Sequence, residues 1–222
     1  MEDRAPETIW TRSRHGSRGP QRELSPERLA ATAVALADEA GLRAVTMRAV
    51  AQALGTTAGG LYRYVRGRDE LIALMVDAAL AELRYPDDEG PWQQQLLAVA
   101  HDQLRVYRAH PWLVEAAMRP GPMGPHALRY LDTCLAIMTE VPASTTAKME
   151  ALAMTTGVVT LFARPEASAP TDPRLLFAAL DPQAQPTLAA ALAAPPATGA
   201  PRPDLLERTL TGLLDGLLPT TG

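Results

Sequence analysis

Apolar residues recur at helical spacing along most of this 222-residue chain. Leu29, Ala33, Leu36, Ala37 and Ala40 form one such stripe, because residues three or four positions apart share a face of an α-helix. No segment alternates apolar and polar residues convincingly over five or more positions, as a half-buried strand would. The pattern therefore predicts an all-α protein.

Capping residues divide the first part of the chain into short helices. Ser25 and Pro26 are typical of a helix start, and Gly41 is typical of a helix end. Thr46 would cap a second short helix that ends at Gly55. The next two predicted helices span about residues 59–65 and 69–83.

A polar segment with prolines and glycine at residues 85–91 predicts a hinge between two units. Beyond it, periodicity predicts helices at about 92–109, 112–118, 125–139, 145–163, 173–193 and 203–218, with Pro182 and Pro186 interrupting or shortening the fifth. The predicted organisation is an N-terminal arm (1–23), a domain of short helices (24–70), a connecting helix and hinge (71–91), and a larger helical domain (92–218).

Composition excludes several classes of protein. Hydrophobic residues make up 47% of the chain, enough for a packed core, but no apolar run approaches the roughly 20 residues that cross a bilayer. The basic first twenty residues lack the apolar segment of a secretory signal, and a single cysteine fits a reducing compartment. We therefore expect a cytoplasmic protein without membrane contact. Because the histidines and the cysteine are scattered singly, we expect no metal site, no cofactor and no enzyme activity.

Charge is distributed unevenly. The net charge is −4, yet residues 1–70 hold eleven of the 21 basic residues and nine of the 25 acidic ones. Residues 12–22 contain four arginines, among them Arg18, and no acid, whereas residues 1–11 are expected to be disordered. This arm is either a solvated tail or a segment that reaches the minor groove of DNA, whose negative potential attracts arginine. The excess of acids after residue 70 argues against an architectural DNA binder, which needs basic charge over much of its surface.

Residues 46–65 have the features of a helix-turn-helix unit. Ala51 and Leu54 on the inner face of the second helix would let the third helix cross it closely, and Gly55 permits the tight turn. Leu61 and Val65, four positions apart, would anchor the third helix, so that its polar and aromatic side chains face outward. A helix arranged in this way can enter the major groove.

Residues 24–83 resemble the DNA-binding domain of the tetracycline-repressor (TetR) family, above all in the stretches TMRAVAQALG (46–55) and GLYRYVRGRDEL (60–71). The motifs HPWLV (110–114) and RPGP (119–122), with Trp92, resemble the C-terminal domain of the tetracycline-repressor subfamily. The resemblance implies a helix-turn-helix DNA-binding domain at 24–70 and a ligand-binding and dimerisation domain at 92–218. It also implies a bacterial one-component regulator, a repressor by family default, that binds a palindromic operator in double-stranded DNA as a homodimer and is released by a small molecule.

The chemistry of the matched residues suggests their roles. Arg48 and Arg63 are the candidates for bidentate contacts to guanine, and Tyr62 and Tyr64 could meet phosphate or thymine, or else pack against the first helix. Thr46, at a helix N-terminus, and Arg68 would hold phosphates; the full set of candidate DNA-binding residues is Arg18, Thr46, Arg48, Thr57, Gly59, Gly60, Tyr62, Arg63, Tyr64 and Arg68.

The chain departs from the family pattern at Gly59 and Gly60, where many members have residues that start the helix. Two glycines lower helix propensity by about 1 kcal/mol each. We therefore expect either a very close approach of the backbone to DNA or a reading helix that orders on binding.

In the resembled family, the last long helices pair across a two-fold axis, which here implies residues 145–163 and 203–218. A leucine stripe on the latter helix, from Leu206 to Leu218, would form the dimer interface, although such a stripe is more often core. A pocket for a largely apolar effector would lie among the helices from residue 92 to 163. Its candidate lining residues are Tyr107, His110, Trp112, Glu115, Met118, Arg119, Leu131, Cys134, Met138, Met154 and Phe162.

Tetracycline itself is not expected as the effector. Glu115 and Cys134 stand at two positions where family members that bind this drug place His and Gln. Cys134 on an apolar helix face is equally typical of a small buried residue. The alternative within the same fold is a dimeric DNA-binding regulator whose C-terminal domain has a filled core and no sensor.

Overall fold

The computed structural model describes residues 8–11, 24–87, 90–117, 119, 121–164, 180–193 and 205–218. Within these ranges every regular element is helical, so the predicted all-α class is confirmed. The α-helices are α1 (Pro26–Ala40), α2 (Met47–Ala53), α3 (Ala58–Leu61), α4 (Arg68–Leu80), α5 (Trp92–Ala109), α6 (Leu113–Ala116), α7 (Pro125–Ile137), α8 (Thr145–Ala163), α9 (Pro186–Ala193) and α10 (Leu205–Leu217). None of these helices combines the length and the apolar character that a membrane crossing needs.

The predicted boundaries of α1 are confirmed. The Ser25 hydroxyl accepts a hydrogen bond from the Arg28 amide at 3.2 Å and so satisfies one of the free N–H groups of the first turn. Gly41 ends the helix at φ 77°, a conformation that favours glycine. Leu29, Ala33 and Ala37 are buried as predicted, and this face of α1 packs against α4.

The reading unit is built as predicted but with a shorter third helix. Val50 and Ala51 of α2 are buried, and Leu61 and Val65 are fully buried, which confirms them as anchors. However, α3 spans only Ala58–Leu61 instead of residues 59–65. Gly60 occupies the middle of this single turn and contributes no side chain that could stabilise a longer helix.

The structure differs from expectation at residues 8–11 and agrees in part at the segment before α9. Residues 8–11 are not disordered: they form a turn in which Ile9 is buried in the core, because Ile9 and Trp10 are an apolar pair in a polar segment. Near the C-terminus, residues 180–185 are not helical and α9 begins at Pro186, in line with the predicted interruption. Residues 165–179, which include the start of the predicted helix at 173–193, lie outside the described ranges.

The larger domain packs α5, α7, α8 and α10 together. Leu206, Leu210 and Leu214 of α10 are buried, and so is Leu218 directly after it. Because α10 packs on α8 and α5 of the same chain, this stripe belongs mainly to the core rather than to a dimer interface. The outward positions of α10 are instead occupied by residues such as Leu217, which is 44% exposed.

Candidate DNA-reading surface and ligand cavity

Both reading-unit helices begin at threonines whose side chains cap them. The Thr46 hydroxyl accepts from the Ala49 amide at 3.1 Å, and the Thr57 hydroxyl accepts from the Gly60 amide at 3.3 Å. A hydroxyl that accepts such a bond still has its own hydrogen to donate. Each threonine could therefore also donate to a phosphate at its helix N-terminus.

The predicted base-reading side chains lie on the outer surface of α2 and the segment after α3. Arg48 and Arg63 are exposed, and Tyr62 is 55% exposed although it follows the buried Leu61. Tyr64 is half-buried and packs against the core, which is the alternative that the sequence left open for it. The surface thus presents two arginines and one aromatic ring to solvent, a combination suited to base and phosphate contacts.

Arg68 has a structural role that its sequence position did not reveal. Its Nε donates to the Val45 carbonyl and its Nη2 to the Leu42 carbonyl, both at 2.8 Å. These bonds fasten the start of α4 to the turn that precedes α2. A phosphate contact by Arg68 stays a prediction, and Arg18, like the rest of segment 12–22, lies outside the described residues.

A cavity of about 620 Å³ lies in the larger domain. Residues of α4, α5, α6, α7 and α8, together with residues 119 and 121–124, form its wall. The predicted liners found there are Tyr107, Arg119, Leu131 and Met154. Its volume is within the range typical of small-molecule sites.

One whole wall of the cavity was missed from the sequence. Helix α4 contributes Asp69, Ile72, Ala73, Val76, Asp77 and Leu80, which recur every three or four residues and so form one face. This spacing was visible in the sequence, but it does not distinguish a cavity wall from ordinary core. Gln103 and Tyr130 also line the cavity and were not predicted.

His110 and Trp112, predicted as pocket residues, do not line this cavity; they lie at the contact with α1 of the reading domain. The Trp112 Nε1 donates to Asp38 Oδ1 of α1 at 2.7 Å, and the His110 Nδ1 lies 2.8 Å from the same oxygen. The His110 Nε2 lies 3.1 Å from Glu82 Oε1. The two ring nitrogens of His110 find hydrogen-bond partners in these two carboxylates, which an apolar cavity would not provide.

The protonation of His110 follows from this geometry. Burial lowers the pKa of the ring, but hydrogen bonds to Asp38 and Glu82 and the charges of both carboxylates outweigh burial, so the pKa is raised. Since only the imidazolium can donate from both nitrogens, the arrangement favours the charged form.

Four other predicted liners also lie away from the cavity wall. Cys134 and Met138 are fully buried in the core, and burial raises the pKa of the Cys134 thiol to about 12. Glu115 is exposed on α6, where its carboxylate can stay hydrated, and Phe162 packs against the core near the end of α8. Met118 is outside the described residues.

Asp77 is a buried carboxylate that joins two walls of the cavity. It is 4% exposed, and its Oδ1 accepts from the His126 and Ala127 amides at 2.9 and 3.1 Å. Its Oδ2 lies 2.9 Å from His126 Nδ1. Asp77 of α4 therefore caps the N-terminus of α7, where the free N–H groups and the helix dipole favour a negative charge.

The chain directly before the predicted hinge at 85–91 is anchored to α5. Asp102 of α5 accepts from the Arg84 amide at 2.7 Å, and the Arg105 Nη2 donates to the Glu82 carbonyl at 2.8 Å. Arg105 also pairs with Asp102 at 2.7 Å. The chain between α4 and α5 is thus held along α5.

Two family models match the chain. One, described as bacterial regulatory proteins of the tetR family, matches residues 29–75, and the other, the tetracycline repressor-like C-terminal domain, matches residues 85–220. The HTH-type transcriptional repressor DrrR1 of Streptomyces coeruleorubidus is 36% identical over 160 residues, which cover 71% of this chain and 59% of the relative. An HTH-type transcriptional regulator of Saccharopolyspora erythraea is 34% identical over 125 residues, 56% of this chain and 52% of that protein. The chain thus spans little more than half the length of these two relatives.

Solved structures agree with these matches. The TetR family protein ActR of Streptomyces coelicolor, in complex with (S)-DNPA, has a TM-score of 0.74 and 25% sequence identity, over 90% of this chain and 100% of ActR. ActR is also known in complex with actinorhodin. Because the C-terminal model alone covers more than half of the residues and the N-terminal model covers the reading unit, this chain belongs to the tetracycline-repressor family of bacterial transcriptional regulators.

Proposed function

We propose that this chain binds a palindromic operator as a homodimer and releases it when a small molecule occupies the cavity. The observation that carries the proposal is the double role of α4. One face of α4 lines the cavity, and the helix also packs against α1 of the reading domain. A ligand that shifts α4 would therefore shift the reading domain, as a population shift between two conformers requires.

The cavity favours a ligand sensor over the alternative, a regulator whose C-terminal domain has a filled core. The cavity wall is largely apolar and is formed by residues of five helices. In a regulator with a filled core, side chains of these helices would occupy this space. ActR, a structural neighbour with bound small molecules, supports the same interpretation by analogy.

The proposed dimer face lies on the outer sides of α8 and α10. Leu161 of α8 is 62% exposed and Leu217 of α10 is 44% exposed, and both helices pack together within the chain. Gly212 and Gly216 of α10 have no neighbouring atom within 4 Å of a Cβ added to them, so a partner helix could approach closely there. Burying exposed leucines of this kind is a common driving force of stable dimers.

The test of DNA reading is selection of random duplex DNA by the protein, followed by titration of the selected sequence with variants. Arg48→Ala and Arg63→Ala are each expected to weaken binding about tenfold and to relax one base position in each half-site. Arg108→Ala is the matched control, because Arg108 is an exposed arginine of α5 in the larger domain. Absence of an enriched palindrome, or equal losses in all three variants, would refute the proposed reading surface.

The sensor is tested by filling the cavity. Leu131→Trp adds bulk to the wall at a half-buried position, and we expect operator binding to remain while release by cavity ligands is lost. Operator release is measured by fluorescence anisotropy of labelled DNA, with compounds first chosen because they raise the melting temperature of the wild-type protein. Leu128→Trp, at an exposed position of the same helix, is the control. Undiminished release in Leu131→Trp would show that the effector binds elsewhere.

A further inference from the structure

Gln103 is a buried amide in the wall of the cavity whose carbonyl oxygen is unpartnered. The residue is 2% exposed and lies on α5. Its Nε2 donates to the Thr156 hydroxyl of α8 at 3.4 Å. Gln103 Oε1 has no hydrogen-bond partner in the described part of the chain.

The other polar groups of this wall do not satisfy the oxygen. The Tyr130 and Thr156 hydroxyl oxygens lie 3.3 Å apart and share a hydrogen bond in which either can be the donor, and burial raises the pKa of Tyr130. A buried carbonyl without a donor is unfavourable, and nearly all such groups in folded proteins have a partner. A ligand in the adjoining cavity can provide one.

The charges around the cavity restrict the kind of ligand further. Asp77 is a buried carboxylate of the wall, already satisfied by three donors of α7. Asp69, largely exposed, pairs with Arg119 at 3.4 Å. Among the described residues, the wall therefore holds two carboxylates against one guanidinium, and its remaining surface is mainly apolar, with residues such as Ile72 and Leu152. This environment disfavours an anion, because its charge would be desolvated near Asp77.

We propose that Gln103 is a specificity residue that selects an uncharged, largely apolar effector carrying a hydroxyl or N–H group, which donates to Gln103 Oε1. The inference rests on the proposed function, since it concerns the same cavity. It adds the chemical class of the effector and the residue that recognises its polar group.

The test uses three fluorescent probes with one apolar body: hydroxypyrene, methoxypyrene and pyrenecarboxylate, each substituted at the same ring position. The first can donate a hydrogen bond, the second can only accept, and the third is an anion at neutral pH. Fluorescence titration of the full chain is expected to give about tenfold tighter binding of hydroxypyrene than of methoxypyrene, and weaker binding still of the carboxylate.

Variants of Gln103 assign the preference to this residue. In Gln103→Leu the ratio of the two affinities is expected to fall to about one, because the acceptor is gone while the volume is similar. Gln103→Glu keeps an acceptor at this position and should retain a preference for the hydroxyl probe. The ratio of the affinities for hydroxypyrene and methoxypyrene does not change when a substitution weakens the binding of both probes equally. Thermal unfolding of each variant shows that the variant is folded.

The outcomes separate this inference from the proposed function. Equal binding of the first two probes by the wild type, a ratio unchanged in Gln103→Leu, or no binding of any probe overturns the inference. If the probes bind without this preference and Leu131→Trp weakens all of them, the cavity remains the ligand site and only the role of Gln103 is wrong. If Leu131→Trp has no effect on their binding, the sensing cavity itself fails.

Discussion

Gly124→Ala is expected to destabilise the protein by about 3 kcal/mol, from overpacking and loss of a helix cap. A Cβ at this position would overlap the side chain of Asp77, including its Cβ and Cγ. Asp77 cannot move away freely, because it is buried and accepts the hydrogen bonds that cap α7. The free energy of unfolding is measured by urea titration.

The controls isolate this contact from the general effect of replacing glycine. Gly121→Ala makes the same chemical change in the same segment, where nothing lies within 4 Å of the added Cβ, and should be nearly neutral. In an Asp77→Ala background, Gly124→Ala should cost much less, since the overlap is removed. Equal unfolding free energies for the Gly121 and Gly124 variants would show that this contact does not matter.

The second large effect is expected at the contact between the domains. Asp38→Ala removes the acceptor that both Trp112 Nε1 and His110 Nδ1 use, which should destabilise the protein by about 2 kcal/mol after allowance for the partial exposure of Asp38. Glu39→Ala, the same loss of charge at the neighbouring exposed residue, is the matched control. Equal losses in the two variants would exclude a special role for Asp38.

The contribution of His110 should depend on pH. Its folded pKa is raised above the ordinary value of 6.5, so the protonated ring stabilises the folded state. This stabilisation is fully present below pH 6.5 and is lost as the pH rises through the raised pKa. The difference in unfolding free energy between wild type and Asp38→Ala should therefore shrink above pH 6.5, and in a His110→Gln background this dependence should disappear. A difference that grows with pH would contradict the assignment.

The reading unit was accessible from the sequence because its signals are local. Ser25, Thr46 and Gly41 act within one helical turn of their own positions, so caps and ends could be assigned from neighbours along the chain. Leu61 and Val65 are likewise fixed as anchors by a spacing of four. Helix α3 is shorter than predicted, because two adjacent glycines lower the helix propensity of this segment more than the prediction allowed.

The cavity could not be assigned in the same way. The sequence shows that a residue is apolar, but it does not show whether that residue fills a core or borders a cavity. Ile72 and Val76 border the cavity, whereas Cys134 and Met138 fill the core, and all four recur at helical spacing. The same ambiguity made the leucine stripe at 206–218 resemble a dimer interface, although four of its leucines are buried within the chain.

The sequence by itself determined the helical class, the capped reading unit and the family, all of which depend on residues near one another in the chain. Only the tertiary structure decided which side chains surround the cavity, that Asp77 caps a distant helix, and that His110 and Trp112 join the domains through Asp38. These hydrogen bonds link residues 49 to 74 positions apart, and helical periodicity specifies which face of a helix is buried but not what that face meets.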